Sequence, residues 1–306
     1  MNKRPSRFEL YSSLLLILAL AAIAAAFLSG VRVGAGRMEE KYTYLKLSSA
    51  APDFSDSYQQ QDLVTFYHTV FLPYREFKTE WAQLTGSLVV PGTEQSGVFK
   101  QLSKLADAKY DEVLQTSVFD ASPLLEQSQY NTLKSLRLFS KAADRAAAGD
   151  SRPDFAISML EKDEYYKNAA KYGLLAQKQY YSSMLRWGSK VSPNIPKQYV
   201  VPASLQLDTW TSYPLMVKNE AVASTMLSSS FFSAADPQDI TACIDSWIIT
   251  GKAKAHKLTT LQQAVSYLRQ KEIVQPAAFI KLKKQYGTNE LLPQLPFFFE
   301  LQNDNI

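Results

Sequence analysis

The longest uncharged stretch of this chain runs from Leu10 to Val31, and it limits the fold more than any other feature. As a helix it would be about 33 Å long, enough to cross the roughly 30 Å hydrocarbon core of a bilayer. In lipid, a strand or a coil would leave backbone groups unpaired, so the segment must be helical there. The sequence therefore predicts one transmembrane anchor at residues 10–31.

The charges that flank this segment predict its orientation. Lys3, Arg4 and Arg7 precede it, whereas the bases that follow it are soon diluted by Glu39 and Glu40. A basic excess marks the cytoplasmic side. We therefore expect a single-pass protein of the cell membrane, with residues 1–9 in the cytoplasm and a large extracytoplasmic C-terminal part.

A basic start, an apolar centre and small residues are also typical of a cleaved secretory signal. Cleavage would follow Ala26 or Ala35, and the body would then be secreted. The uncharged run is longer than the centre of an ordinary signal, which favours the anchor. Both alternatives export the same domain.

The exported domain must be stabilised by burial alone. Cys243 is the only cysteine, so no intramolecular disulfide can form. An exported protein with so few cysteines fits a bacterial cell envelope better than a eukaryotic ectodomain.

Glycine usage after the anchor predicts an all-α fold. After Gly97 only five glycines follow, at 149, 173, 188, 251 and 287. Four of them come just after an apolar helical pattern ends, where a left-handed helix cap is expected. Hairpin signals and sustained alternation of apolar and polar residues are nearly absent.

The same patterns predict the division of the chain. Residues 32–57 are rich in serine beyond a short apolar patch and form a tether. A bundle of long helices is predicted at 58–229. Residues 230–306 are predicted to form a smaller cluster of short helices, which includes an apolar tail at 291–299. The longest helix is expected to run unbroken from Ser151 to Gly188.

Most catalytic chemistry has no signature here. The chain contains no nucleophile elbow, no phosphate-binding glycine loop and no His-Glu-x-x-His motif. With His68 and His256 far apart and one cysteine, a His or Cys metal cage is excluded, and no cofactor is predicted. Cys243 follows Ile240 on an apolar stripe and is interpreted as a small core residue.

Carboxylates are the remaining candidates for catalysis. Glu161 and Glu164 are expected on one helix face, and Asp53, Asp56 and Asp62 cluster near the tether. Two acids that converge in a cleft could act as acid and base. The alternative is a solvated face whose acids complement the helix dipole, and this is the preferred interpretation.

Tyrosines are concentrated in the longest predicted helix, at Tyr165, Tyr166, Tyr172, Tyr180 and Tyr181. Such side chains could face a ligand groove or a partner, since they offer contact area at little rotamer entropy. The preferred interpretation places them at the boundary of the core, with hydroxyls that reach water.

Residues 250–286 form a basic window of net charge +7, with Glu272 as their single acid. Such a window concentrates anions. Lipid headgroups and wall polymers are the main candidates, with nucleic acid the least favoured. The alternative is a solubilising face without a partner. The eight candidate anion-binding residues are Lys252, Lys254, Lys257, Arg269, Lys271, Lys281, Lys283 and Lys284.

Three functional hypotheses follow. The first is a membrane-tethered extracytoplasmic interaction or scaffold protein of a bacterial envelope, non-catalytic, with a protein partner. The second is binding of an anionic polymer or lipid headgroup through the basic window. The third and least favoured is an envelope enzyme that uses carboxylates of the bundle.

Overall fold

The computed structural model describes residues 57–115, 119, 121–149, 156–271, 273–286 and 290–299. Within these ranges the chain forms helices and no β-strand, which confirms the all-α prediction. The predicted anchor at 10–31, residues 1–9 and all of the tether except Ser57 lie outside them. None of the helices in the described ranges is long and apolar enough to cross a bilayer.

The helices follow one another with short connections. In chain order they are α1 (Gln60–Phe66), a π-helical turn (Tyr67–Phe71), α2 (Leu72–Ser87), α3 (Gln95–Leu114), α4 (Pro123–Ala148), α5 (Ala156–Lys162), α6 (Glu164–Val191), α7 (Leu207–Trp210), α8 (Leu215–Ser228), α9 (Pro237–Ile249), α10 (Lys252–Ala255), α11 (Leu261–Lys271), α12 (Ala278–Leu282) and a 3₁₀ turn (Lys283–Gln285).

The first helical run contains Pro73, where the sequence predicts a kink or a break. The structure places a π-helical turn directly before α2, in which the Leu72 N–H donates to the Tyr67 carbonyl five residues back. Pro73 then occupies the second position of α2, where its missing N–H costs least. The buried residues Leu63, Val70 and Phe77 form the apolar seam expected from their seven-residue spacing.

The prediction of one unbroken helix over residues 151–188 is wrong. The chain leaves helical geometry at Asp163, with φ −63° and ψ 137°, and a new helix, α6, begins at Glu164. The Asp163 carboxylate accepts hydrogen bonds from the N–H groups of Tyr165 and Tyr166 at 2.7 and 3.4 Å. Aspartate favours this N-cap position because its side chain satisfies free helix donors.

Smaller details of the helix ends also differ from expectation. Gly251 has a left-handed φ of 74°, but Gly188 lies inside α6 and Gly149 has ordinary φ. The sequence Thr259-Thr-Leu-Gln262 is typical of a capping box, but the box lies one residue later, where Thr260 and Gln263 exchange hydrogen bonds. The sequence Asp236-Pro-Gln-Asp239 predicts a helix start, and the structure has this start, with Asp239 as the partner of Asp236.

The bundle core is aromatic. Helix α4 packs between α3 and α6, and α6 also contacts α8. The Phe139 ring lies 5.2 Å from Phe77 and 4.7 Å from Trp81, measured between centroids. Where α6 carries Gly173, the Tyr74 side chain reaches α4 and its hydroxyl lies 2.7 Å from Ser135 Oγ.

A second apolar cluster lies under helices α7 to α11, around Trp210, Val222, Ile244 and Leu261. Helix α8 contributes residues to both clusters, because it is buried on nearly every side. Its first N–H, at Leu215, is capped by the carboxylate of Glu290 at 2.8 Å. The domain boundary at residue 229 stays a prediction.

The apolar tail at 291–299 docks against the bundle, where two of its phenylalanines are removed from water. Leu295, Phe297 and Phe298 are buried. The Phe297 ring lies 5.6 Å from Tyr67 and 6.1 Å from Phe71, both at the π-helical turn. The end of the described chain therefore packs against the first helical run and completes the core there.

Candidate functional site

A groove of about 760 Å³ opens on the surface of the described residues. Its walls come from the C-terminal half of α2, from α5, from the segment after α8, from α11 and from the segment before α12. Clefts of this size commonly hold ligands or partner side chains. Its apolar lining consists of Trp81, Ile157, Leu160, Tyr166, Phe231, Phe232, Leu268 and Val274.

The turn after α8 positions two of the groove's aromatic rings. Ser230 adopts a left-handed φ of 51°, and the Phe231 N–H donates to the Met226 carbonyl at 2.8 Å. This reversal directs the chain toward the groove. Phe232 then packs on Phe139 with centroids 5.2 Å apart, which joins the groove floor to the bundle core.

Arg269 forms part of the groove wall. Its Nη1 atom donates to the Ser229 carbonyl at 2.9 Å, and its guanidinium carbon lies 5.8 Å from the centroid of the Phe231 ring. A planar cation over an aromatic face is a favourable and pre-organised contact. One member of the basic window therefore belongs to the groove.

Glu161 and Tyr166 face the same groove from α5 and α6. Burial, reinforced by the charge of Glu161, raises the pKa of Tyr166 to about 12. The tyrosine is therefore a neutral hydrogen-bonding group at neutral pH. Of the other tyrosines expected at the core boundary, Tyr180 and Tyr181 are instead fully buried, so the preferred interpretation is wrong for these two.

Behind the groove lies a buried ionic cluster that the sequence analysis misses. Lys78 Nζ lies 2.6 Å from Asp236 Oδ1 and 3.3 Å from Gln177 Oε1. Arg75 Nε lies 3.2 Å from the second oxygen of Asp236, close enough for ion pairing but without the angle of a hydrogen bond. Lys78 also lines the groove, so the cluster and the groove share a wall.

Asp239 joins this cluster to the C-terminal segment. Its carboxylate accepts hydrogen bonds from the N–H groups of Asp236, Ala277 and Phe279 at 3.0, 3.2 and 2.9 Å. Burial and the neighbouring carboxylate of Asp236 raise the pKa of Asp239 to about 6. The backbone donors and Arg75 oppose this rise without cancelling it.

Two further acids are buried around α8. Asp245 accepts from Trp210 Nε1 at 2.6 Å, from Tyr286 Oη at 2.8 Å and from Lys218 Nζ at 3.1 Å. Glu220 accepts from Ser182 Oγ at 3.0 Å, and burial raises its pKa although Lys178 lowers it. Each carboxylate is occupied by partners within the fold.

Of the two predicted groups of carboxylates, the pair Glu161 and Glu164 does not converge, and the group at Asp53, Asp56 and Asp62 is described only at Asp62. Glu161 and Glu164 lie on separate helices because the chain breaks between them, and both are exposed. Asp62 accepts from Ser122 Oγ at 2.7 Å, while Asp53 and Asp56 lie outside the described residues. In the described ranges, no group of three or more His, Cys, Asp or Glu side chains could hold a metal ion.

The remaining sequence candidates occupy ordinary positions. Burial raises the pKa of the half-buried Cys243 thiol to about 11, so it stays protonated and suits a packing role. His68 is exposed beside Tyr67.

The basic window is spread over three helices and the 3₁₀ turn. Lys252 and Lys254 lie on α10 with Lys257 just beyond, Arg269 and Lys271 on α11, and Lys281, Lys283 and Lys284 on α12 and the 3₁₀ turn. Lys283 is half-buried and the other seven bases are exposed. The ion pairs among described residues include none of those seven exposed bases.

The buried acids carry little sequence signal, since each follows an unremarkable local pattern. The capping box at Asp236 and Asp239 predicts a helix start, and nothing nearby indicates that bases from α2 would enclose it. No protein-family model, curated protein or solved structure matches the chain. Its function is therefore inferred from geometry and charge.

Proposed function

We propose that this chain is a non-catalytic interaction module, tethered to the membrane of a bacterial envelope by residues 10–31, whose extracytoplasmic groove binds a segment of a partner protein. The groove between α2, α5 and α11 is the observation that supports it. It combines aromatic walls with an arginine at its edge. Aromatic residues and arginine are the types enriched at protein interfaces and at their energetic hot spots.

The polar rim of the groove supports a peptide segment as the occupant. Gln83, Glu161 and Gln275 join the apolar walls and offer both donors and acceptors. The main-chain N–H and C=O groups of a bound peptide need such hydrogen-bond partners. A purely apolar ligand would leave the polar side chains of the groove unpaired. The buried acids favour the non-catalytic hypothesis, because each one is committed to partners that hold helices together.

A photo-crosslinking residue placed at Gln83 tests this proposal. Gln83 is exposed and lines the groove, whereas Lys104 is equally exposed on α3 and takes no part in it, so it provides the matched control. In intact membranes we expect a discrete adduct from Gln83 and none from Lys104, and loss of that adduct in Phe231→Ala. Equal adducts from both positions, or none from Gln83, would contradict the proposal.

The tether requires a separate test, since it concerns residues 10–31. The full chain is expected in the membrane pellet after alkaline extraction, with its C-terminal part digested by protease added outside spheroplasts. Recovery in the soluble fraction would favour the cleaved alternative, and protection from the protease would reverse the orientation.

A second candidate function is the binding of an anionic polymer or headgroup through residues 250–286. Seven exposed bases without a described ion partner support it. Binding through counterion release weakens steeply as salt rises. The full chain should therefore bind a soluble polyanion such as polyphosphate at low salt and release it at high salt, and salt-independent binding would contradict this function.

A further inference from the structure

The corner between α9 and α10 exposes an apolar residue beside a group of bases. Helix α9 ends at Ile249, whose side chain is 69 % exposed. Thr250 follows, and Gly251 turns the chain with its left-handed φ of 74° into the single turn of α10. A single exposed isoleucine is ordinary at a protein surface, and what distinguishes this one is that three lysines follow it within eight residues.

Three aromatic rings form a platform next to this corner. The His256 ring lies 5.7 Å from Trp247 and 4.8 Å from Tyr267, and Trp247 and Tyr267 are themselves 5.7 Å apart. The Tyr267 hydroxyl lies 3.2 Å from His256 Nδ1. Trp247 is buried, whereas His256 is exposed and Tyr267 half-buried. The buried ring thus fixes two amphipathic rings at the surface.

The chain segment that carries the platform is basic. Between Asp245, which is bound by Trp210 and Lys218, and Glu272, the charged residues are five bases and no acid. Lys252, Lys254 and Lys257 are exposed and take part in no ion pair among the described residues. Their field is therefore uncompensated within this stretch and favours an anionic partner.

Lys257 occupies a backbone conformation that lysine rarely adopts. Its φ is 56°, the left-handed region, where glycine or asparagine ends a helix most easily. The turn is held by hydrogen bonds from the Lys257 N–H to Lys254 and from the Leu258 N–H to Ala253, at 3.0 and 2.9 Å. Glycine would adopt this φ at lower cost, and the lysine instead places a positive charge at the end of the corner.

We infer that this corner binds the anionic headgroups of a lipid bilayer, with Ile249 entering the interface and Lys252, Lys254 and Lys257 contacting phosphates. The inference rests on the second candidate function and narrows it. A soluble polymer would use the lysines alone, whereas an exposed isoleucine gains only from an apolar medium. Tyrosine and histidine rings suit the headgroup level, because one end is apolar and the other polar.

A fluorescent label at the corner tests the inference in the full chain. Cys243→Ala removes the native thiol, and Thr250→Cys carries an environment-sensitive dye. The protein is reconstituted into vesicles of phosphatidylcholine with or without phosphatidylglycerol. We expect a blue-shifted emission and protection from an aqueous quencher only with phosphatidylglycerol, reversed by high salt. The same dye on Gln101→Cys, exposed on α3, should respond in neither vesicle.

Two kinds of variant separate the contribution of the lysine charges from that of Ile249 insertion into the bilayer. Changing Lys252, Lys254 and Lys257 together to Gln should weaken the engaged state about 100-fold, from roughly fivefold per base. Changing all three to Arg should retain it and controls for folding. Ile249→Ser should abolish the blue shift of the emission. The dye should still be partly protected from the aqueous quencher in a salt-sensitive way, because the lysines remain.

The outcomes distinguish this inference from the function on which it rests. Equal emission in the two kinds of vesicle overturns lipid binding. A response to soluble polyphosphate with none to phosphatidylglycerol overturns lipid binding and leaves the second candidate function in place. No response to either anion, together with no binding of polyphosphate by the full chain at low salt, overturns both.

Discussion

Lys78 and Asp236 lie 2.6 Å apart although 158 residues separate them in the chain, and the lysine is only 3 % exposed and the aspartate 0 %. The pair joins α2 to the start of α9, and Lys78 also lines the groove. Buried ion pairs of this kind give little net stability, but the loss of one partner leaves a charge without compensation.

Lys78→Met tests this coupling. We expect the free energy of unfolding to fall by about 3–5 kcal/mol, because Asp236 would keep only Arg75 as a cationic partner. Lys167→Met is the control, since the Lys167–Glu164 pair is exposed and should contribute less than about 1 kcal/mol. Denaturant unfolding followed by circular dichroism measures both, and equal losses would show that burial is irrelevant to the pair.

Asp239 should make stability depend on pH. Its folded pKa of about 6 lies above the value of about 4 expected in the unfolded chain. The folded state therefore binds the proton more tightly, and this stabilising contribution is fully present below about pH 4 and lost as pH rises through 6.

The measurement compares the free energy of unfolding of the wild type with that of Asp239→Asn between pH 4 and 7. The wild type should gain on the order of 2 kcal/mol relative to the variant as pH falls across this range. A constant difference would mean that Asp239 titrates alike in both states.

Replacing glycine by alanine should have opposite effects on stability at Gly173 and at Gly86. A Cβ atom at Gly173 would collide with the Tyr74 hydroxyl, which is itself hydrogen-bonded to Ser135, so Gly173→Ala should cost about 1–3 kcal/mol or more. At Gly86 nothing lies within 4 Å of the added atom. Gly86→Ala in α2 should therefore stabilise by up to about 1 kcal/mol. Thermal unfolding of the two variants measures these changes in stability. If both substitutions stabilised the fold, or both destabilised it, the prediction would be contradicted.

The apolar tail should contribute strongly to stability through Phe297. That ring is buried among Tyr67, Phe71 and Phe298, so Phe297→Ala should cost about 3–5 kcal/mol. Its neighbour Phe299 is 40 % exposed, and Phe299→Ala should cost much less, about 1 kcal/mol or below. Similar losses in both would mean that the tail does not dock as described.

The fold class was predictable because it depends on local pattern. The scarcity of glycine, the seven-residue seam through Leu63, Val70 and Phe77, and the cap at Asp236 each act within a few residues. The break at Asp163 was missed for a related reason. An aspartate inside an apolar helical pattern can either face solvent or cap a new helix, and the periodicity of its neighbours does not separate these outcomes.

The sequence by itself determined the helical class, most helix starts and the basic character of residues 250–286, because periodicity, capping and charge are local properties. Only the tertiary structure decided that Asp236, Asp239, Asp245 and Glu220 are buried, and that Arg269 joins a groove with Phe231. A carboxylate is stable in the interior only when bases and donors from distant segments surround it, and no local pattern specifies which segments those are.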